Sequence, residues 1–232
     1  GQSMGSRIFT EEELKDFGKS KLERINETID SGDAYHAKEL VKDLYDGFTF
    51  LHDGYMCWIS GLLTYIYENY GIDEVQKAER RAHGLEGKIA FPPLDPNMTF
   101  RQVVEHTVHA LHGHVYQPMT VEEDDEKVTI TVNPCGSGGR LIQMGAYEDG
   151  LMAVLKEKHE ITWGKGNLPI YCTHCPVTEA LEIEGTGDFR WVHPATNPDG
   201  SCGPECKYLL YKDKSDIDES YYTRIGKTKP VK

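Results

Sequence analysis

The chain has little of what marks several classes of protein. Its 232 residues carry a formal net charge of −13, so it lacks the basic face that nucleic-acid binding requires. Its most apolar run, residues 55–67, is interrupted by Ser60, Gly61 and Thr64 and is too short and polar to cross a bilayer. No secretory signal is recognisable. We therefore expect a cytoplasmic protein that binds neither nucleic acid nor membrane and whose thiols stay reduced.

Helical periodicity dominates the first third of the chain. Thr10 and the glutamates after it predict a capping box and a first helix that runs through Leu14, Phe17, Leu22 and Ile25. Apolar residues recur at helical spacing over 37–70, which predicts a long second helix. A third helix over 73–83 is expected to end at Gly84, and Thr99 is expected to cap a fourth.

The hydrophobic period then changes from that of helices to that of strands. Three strands and two helices are predicted in this part: strands at 128–132, 189–192 and 208–211, and helices at 149–158 and 172–181. Helices first and strands later favour an α+β fold, with a helical N-terminal layer on a small antiparallel sheet. We place the helical region at 5–90 and a cysteine-rich α+β region at 97–232, which could also form one compact domain.

Four of the six cysteines form two close pairs, Cys172/Cys175 and Cys202/Cys206, with His174 inside the first pair. A chain of this length can bury a full core without covalent staples, so the pairs predict a metal site. Zinc is the simplest occupant; an iron–sulfur cluster or another divalent first-row metal are alternatives, and His174 could replace one sulfur. Buried free thiols, or a redox dithiol at Cys172 and Cys175, remain open interpretations.

A second candidate site is rich in histidine. Glu105, His109 and His112 are spaced so that they share one face of the fourth helix, at a predicted semi-buried border of its apolar stripe. Such a group could exchange protons with a substrate or bind a first-row metal. The alternative is that these histidines are structural.

The third candidate site is the glycine-rich segment 133–140. Its glycines, Gly136 and Gly138 among them, free the backbone to aim N–H groups at an anion, and Arg140 suits a substrate carboxylate. Cys135 could have a depressed pKa there and act as nucleophile or ligand. The segment lacks the lysine and Ser/Thr of a phosphate-binding loop. A plain turn with a buried cysteine is the alternative.

The stretch from Cys172 to Tyr211 also carries a resemblance. A cysteine and a short helix to Leu181 are followed by Trp191-Val192, a glycine turn at Gly203, and Cys206-Lys-Tyr208-Leu-Leu210. This order resembles the C-terminal portion of the L-2-amino-thiazoline-4-carboxylic acid hydrolase group and, more distantly, the 4-vinyl reductase ligand-binding domains. The resemblance implies an α+β module that handles a small organic molecule, in the first group by metal-assisted ring hydrolysis.

Together these features predict a metal-dependent enzyme, a hydrolase or lyase that cleaves a C–N or C–S bond in a small anionic substrate. The cysteine pairs would hold the metal, and His109, His112, Glu105 and Cys135 would carry the chemistry. A non-enzymatic small-molecule or metal-sensing module and an iron–sulfur redox protein are the alternatives. The N-terminal helices could form the interface of a homo-oligomer.

Overall fold

The computed structural model describes residues 8–90, 94–115, 119–197 and 202–231, without the side chains of residues 114 and 115. Its fold is α+β, with helices first and small antiparallel sheets later, as predicted. The chain divides into two compact units, one ending at Gly54 and the other beginning at Tyr55. This division falls within a long helix, and the predicted domain boundary between residues 90 and 97 stays a prediction.

The first unit contains α1 (Glu11–Phe17), α2 (Lys21–Asp30) and the start of α3 (Ala34–Tyr70). Thr10 and Ser20 each form a capping box with the glutamate three residues later. The second capping box was not predicted, and it begins a new helix where the sequence analysis expected α1 to continue. The predicted long helix is confirmed as the single element α3.

Large apolar side chains of the first unit are mostly exposed. Along α3, Val41, Leu44, Phe48 and Leu51 follow the three–four spacing of a heptad repeat, and each is more than a third exposed. The buried apolar residues described in this unit are Ile25 and Ala37.

In the second unit, α4 (Ile72–Ile89) runs five residues beyond the predicted stop at Gly84. The prediction was wrong because the last turns are held by side chains, including a 2.7 Å bond between His83 Nδ1 and Glu86 Oε2. α5 (Phe100–Val115) begins at the predicted cap, where Thr99 Oγ1 accepts the N–H of Gln102 at 3.3 Å.

A three-stranded antiparallel sheet has the order β1 (Met119–Glu123), β2 (Lys127–Val132) and β5 (Cys206–Tyr211). β2 and β5 are confirmed predictions, whereas β1 was missed because four of its five side chains are exposed and two of them are acidic. The apolar side chains of β2 are buried in a cluster that includes α5, and Cys135 and Cys206 pack against this cluster.

Two predicted elements are corrected. A helix over 149–158 is absent from the described chain: a 3₁₀ turn at Glu148–Gly150 is followed by β3 (Val154–Leu155), which pairs with β4 (Leu168–Pro169). Asp149 has φ 54° and Gly150 has φ 73°, a left-handed conformation that an α-helix cannot contain. In the predicted strand 189–192, a single bridge joins Val192 to Leu209 of β5.

The remaining helices are α6 (Gly138–Gln143), α7 (His174–Thr186), as predicted, and α8 (Glu219–Thr223). α7 packs against α4 and against the 3₁₀ turns that flank it. Cys172, Cys175 and Cys202 contact the hydrophobic cluster that includes Trp163 and Val192. Within the described ranges, no helix is both long and apolar enough to cross a membrane.

Candidate functional site

Three segments of the chain bring cysteines together: the loop before α6, the start of α7 and the start of β5. Their close approach depends on glycine, because a Cβ at Gly138 would lie 2.8 Å from Cys172 Sγ. A Cβ at Gly139 would lie 2.1 Å from the carbonyl oxygen of Pro204. That same oxygen accepts the N–H of Cys135 at 2.7 Å, so the two loops are held in contact by the backbone.

Cys135 is the thiolate of the site. Its pKa lies well below the ordinary value, first because the thiol of Cys206 donates a hydrogen bond to it. Burial opposes this shift, but the N–H groups of Ser137 and Gly139 also donate to the sulfur. Two backbone N–H groups of the glycine-rich segment are thus directed at the sulfur of Cys135, and the use of this segment for a substrate anion stays a prediction.

Three further cysteines surround this thiolate and remain protonated. The hydrogen bond to Cys135 raises the pKa of Cys206, and burial adds to the shift. Burial raises the pKa of Cys172 and of Cys175, and the charge of Cys135 raises both further. We refer to Cys135, Cys172, Cys175 and Cys206 as the thiol cluster.

Cys202 lies at the edge of this cluster. Cys202 lies near enough to Cys172 and Cys175 for its ionised form to raise the pKa of each, and burial raises the pKa of Cys202 itself. The two predicted cysteine pairs thus do lie near one another, and Cys135, which the sequence analysis assigned to a separate site, lies among them. Cys57, on α3, is outside the cluster.

His174 contacts the cluster directly. Its Nδ1 donates to the carbonyl oxygen of Tyr171 at 2.5 Å, and its Nε2 lies 3.5 Å from Cys175 Sγ. Burial lowers the pKa of His174, so the ring is neutral and Nε2 accepts from the Cys175 thiol.

Three tyrosines form part of the wall. Burial raises the pKa of Tyr147, Tyr171 and Tyr208, and the charge of Cys135 raises the pKa of Tyr171 and Tyr208 further. Tyr171 also accepts a hydrogen bond from Ser137 of the glycine-rich segment. The cluster is thus bordered by neutral phenols that can donate hydrogen bonds to a thiolate or a bound anion.

A buried polar network adjoins the cluster, centred on Glu179 of α7. Its carboxylate accepts Trp163 Nε1 at 2.7 Å, the N–H and Nδ1 of His193 at 2.9 Å each, and Arg224 at 3.1 Å. These partners lower the pKa of Glu179 against the opposing effect of burial. His193 is 3% exposed, yet its Nε2 has no hydrogen-bond partner within the part of the chain that the structure describes.

Arg224 links this network to an open cleft of about 450 Å³ whose lining also includes Lys158 and His159. Its guanidinium lies over the rings of Trp163 and Tyr221, 5.1 and 4.6 Å from their centroids. The cleft therefore has basic groups on its wall next to the buried carboxylate.

The histidine-rich face of α5 is located elsewhere. Glu105, His109 and His112 are exposed, and Glu105 pairs with Arg101 at 2.8 Å. The expectation of a semi-buried border was wrong, because α5 turns Thr107 and Leu111 inward and leaves the histidines on its outer face.

Arg140 and Gly136 lie beside the cluster. The N–H of Arg140 donates to the Cys135 carbonyl at 3.0 Å, and Gly136 is buried. Within the described residues, no three or more His, Cys, Asp or Glu side chains are arranged to hold a metal ion. The thiol cluster would need side-chain rotations to converge on a cation.

Sequence reasoning missed Glu179, His193 and Arg224. Glu179 follows Cys175 by four residues on α7, a spacing that places both on one helix face, and this was the available signal. Comparisons with protein-family models, curated proteins and solved structures found no match to the chain.

Proposed function

We propose that the protein is a metal-dependent enzyme whose metal, zinc in the first instance, is bound by the thiol cluster. The observation that carries the proposal is the cluster itself, in which three half-buried thiols surround the thiolate of Cys135, and the four cysteines come from three chain segments. Neighbouring thiolates repel one another, so without a cation three of the four stay protonated. A divalent cation turns that repulsion into attraction, and thiolate sulfur is a preferred ligand of zinc.

The proposed reaction is hydrolysis or elimination at a C–N or C–S bond of a small anionic substrate. When bound, zinc would supply Lewis-acid polarisation of the substrate. The chain would supply the Cys135 thiolate, the phenols of Tyr147, Tyr171 and Tyr208 as hydrogen-bond donors, and Arg140 for a carboxylate. The resemblance of residues 172–211 to the thiazoline-carboxylate hydrolase group supports the same substrate class.

Coordination number decides between a catalytic and a structural ion. Four thiolates saturate tetrahedral zinc, whereas a catalytic zinc keeps one position open. The hydrogen bond from Cys206 to Cys135 favours the open case, because a protonated Cys206 can remain a donor to a metal-bound Cys135. His109 and His112 do not carry the proposal, since both are exposed on α5.

Elemental analysis of the purified protein tests the metal. We expect one zinc per wild-type chain, and a colourless protein, because an iron–sulfur cluster would absorb visible light. Cys175→Ser should lose the zinc, and Cys57→Ser, outside the cluster, should keep it. At free zinc about 100 times Kd, binding should stabilise the wild type by about 2.7 kcal/mol, and Cys175→Ser should lose this gain.

Two results would contradict the proposal: a wild-type protein that takes up no added metal, or full zinc stoichiometry in Cys175→Ser. The enzymatic part is tested with 2-amino-thiazoline-4-carboxylate, the substrate that the resemblance implies. Turnover should follow zinc content across the same variants.

We further propose that the N-terminal helices mediate self-association. Its support is the heptad spacing of Val41, Leu44, Phe48 and Leu51 on α3, because a heptad stripe is complementary to a second copy of itself.

A further inference from the structure

His193 is the buried polar side chain that the proposed centre leaves unexplained. Its side chain is 4% exposed, and its Nδ1 lies 2.9 Å from Glu179 Oε1. In the neutral ring, a carboxylate at that distance accepts the proton on Nδ1, which leaves Nε2 with a lone pair. Nε2 is buried with no hydrogen-bond partner among the described residues, an arrangement that costs free energy unless a ligand compensates it.

The contacts of His193 connect its ring to two of the elements that carry the thiol cluster, α7 and β5. Glu179, which holds the ring, is one helical turn from Cys175 on the same face of α7, and its charge raises the pKa of Cys175. On the other side, the ring lies 4.7 Å from that of Tyr208. Tyr208 is two residues from Cys206 on the same face of β5.

An imidazole held by a carboxylate through one nitrogen is the arrangement commonly found at metal-bound histidines. The carboxylate fixes the tautomer, orients the ring and makes the second nitrogen more basic. Glu179 is itself held by Trp163 and Arg224, so the ring orientation is set before any ligand binds.

Charge also favours nitrogen as one ligand. Zinc with four thiolates carries a net charge of −2, and replacing one thiolate by neutral imidazole reduces it to −1. A buried site with the smaller charge pays a smaller desolvation penalty. His174, the other nearby imidazole, already has partners at both ring nitrogens.

We propose that His193 Nε2 is a ligand of the thiol-cluster metal, so that the centre binds zinc through two sulfurs and one nitrogen and keeps one position open, with Glu179 as the positioning residue. This inference rests on the proposed function, because it requires that zinc binds at the thiol cluster. It leaves two of the four cysteines unbound, and one of these is Cys206, the thiol that donates to Cys135.

X-ray absorption at the zinc edge of the loaded full chain tests the proposal. The wild type should show a sulfur shell at about 2.3 Å, a nitrogen shell at about 2.0–2.1 Å and outer scattering from imidazole carbons. His193→Ala should lose the nitrogen shell and the ring scattering. His174→Gln and the surface variant His112→Ala should keep both. Glu179→Gln should bind zinc about 10–100-fold more weakly.

A wild-type spectrum with sulfur alone would overturn the inference and leave the proposed function standing. A nitrogen shell that survives in His193→Ala, or disappears in His174→Gln, would also overturn it. If the wild type binds no zinc, the proposed function fails first. If His193→Ala does not fold, the wild-type spectrum still shows whether nitrogen is a ligand, and the His174→Gln spectrum shows whether that nitrogen belongs to His174.

Discussion

At the scale of the residue, the site is defined by which sulfur carries the charge. Two backbone N–H groups and one thiol donate to Cys135, whereas burial keeps its neighbours protonated. A reactive or metal-binding cysteine therefore arises from three hydrogen bonds rather than from a nearby lysine or arginine. Electrophilic labelling at neutral pH should consequently favour Cys135 wherever the reagent can reach it.

His83 is a second residue whose protonation state depends on its hydrogen-bond partners, here two glutamates. Its Nε2 lies 3.1 Å from the buried Glu79 and its Nδ1 lies 2.7 Å from Glu86. Burial would lower the pKa of His83, but the hydrogen bonds to the two glutamates raise it to about 9. The imidazolium is thus more stable in the folded protein than in the unfolded chain.

We predict a pH-dependent stability from this residue. Because the folded pKa lies above the unfolded value of about 6.5, the contribution is fully present below pH 6.5 and is lost as pH rises through about 9. At about 1.4 kcal/mol per pKa unit, its upper limit is of the order of 3 kcal/mol.

Urea unfolding of wild type and His83→Gln between pH 6 and 10 measures this contribution. The stability gap between the two proteins should narrow across that range. An equal gap at pH 6 and pH 10 would show that His83 does not gain charge on folding.

At the scale of the element, the approach of α6 to the loop before β5 is what assembles the cluster. The carbonyl of Pro204 occupies the place that any side chain at residue 139 would need. Backbone cannot move aside as a flexible side chain can, so the requirement for glycine is strict here.

We predict that Gly139→Ala destabilises the second unit by about 1–3 kcal/mol or more and reduces zinc uptake. Gly185→Ala is the matched control, because its Cβ would meet nothing within 4 Å on α7. That control should be neutral or stabilising by up to about 1 kcal/mol. Denaturant unfolding together with metal analysis compares them, and equal stability of the two variants would count against the close approach.

Elements whose signals are local were predictable, and those that depend on side-chain contacts or unusual dihedrals were not. Capping residues located the starts of α1 and α5, and alternation located β2. The prediction of a helix at 149–158 was wrong because the pattern of a single sequence does not show that Asp149 has a positive φ. α4 continues beyond Gly84 because the contacts of His83 with Glu79 and Glu86 stabilise the helix by more than one glycine destabilises it.

At the scale of the whole molecule, exposed apolar surface and strong net charge act in opposite directions. The formal charge of −13 disfavours association, while the heptad stripe on α3 favours it. Burial of four large apolar side chains per copy is the larger effect at physiological salt, where charges beyond about 8 Å are screened.

We therefore predict an oligomer that dissociates when the stripe is made charged. Sedimentation should give a mass above the 26.2 kDa of one chain for the wild type and near it for Leu44→Glu/Leu51→Glu. Glu39→Lys, on the opposite side of α3, should leave the mass unchanged. A monomeric wild type would remove the proposed interface.

The sequence by itself determined the α+β class, most of the helix starts and the strands β2 and β5, because these depend on local periodicity and capping. It also identified the cysteines as the residues of interest. Only the tertiary structure decided that Cys135 lies with the cysteine pairs, that α5 leaves its histidines on its outer face, and that Glu179 holds His193. The physical reason is that these relations join residues distant in the chain through close backbone approach and burial, which spacing along a sequence does not encode.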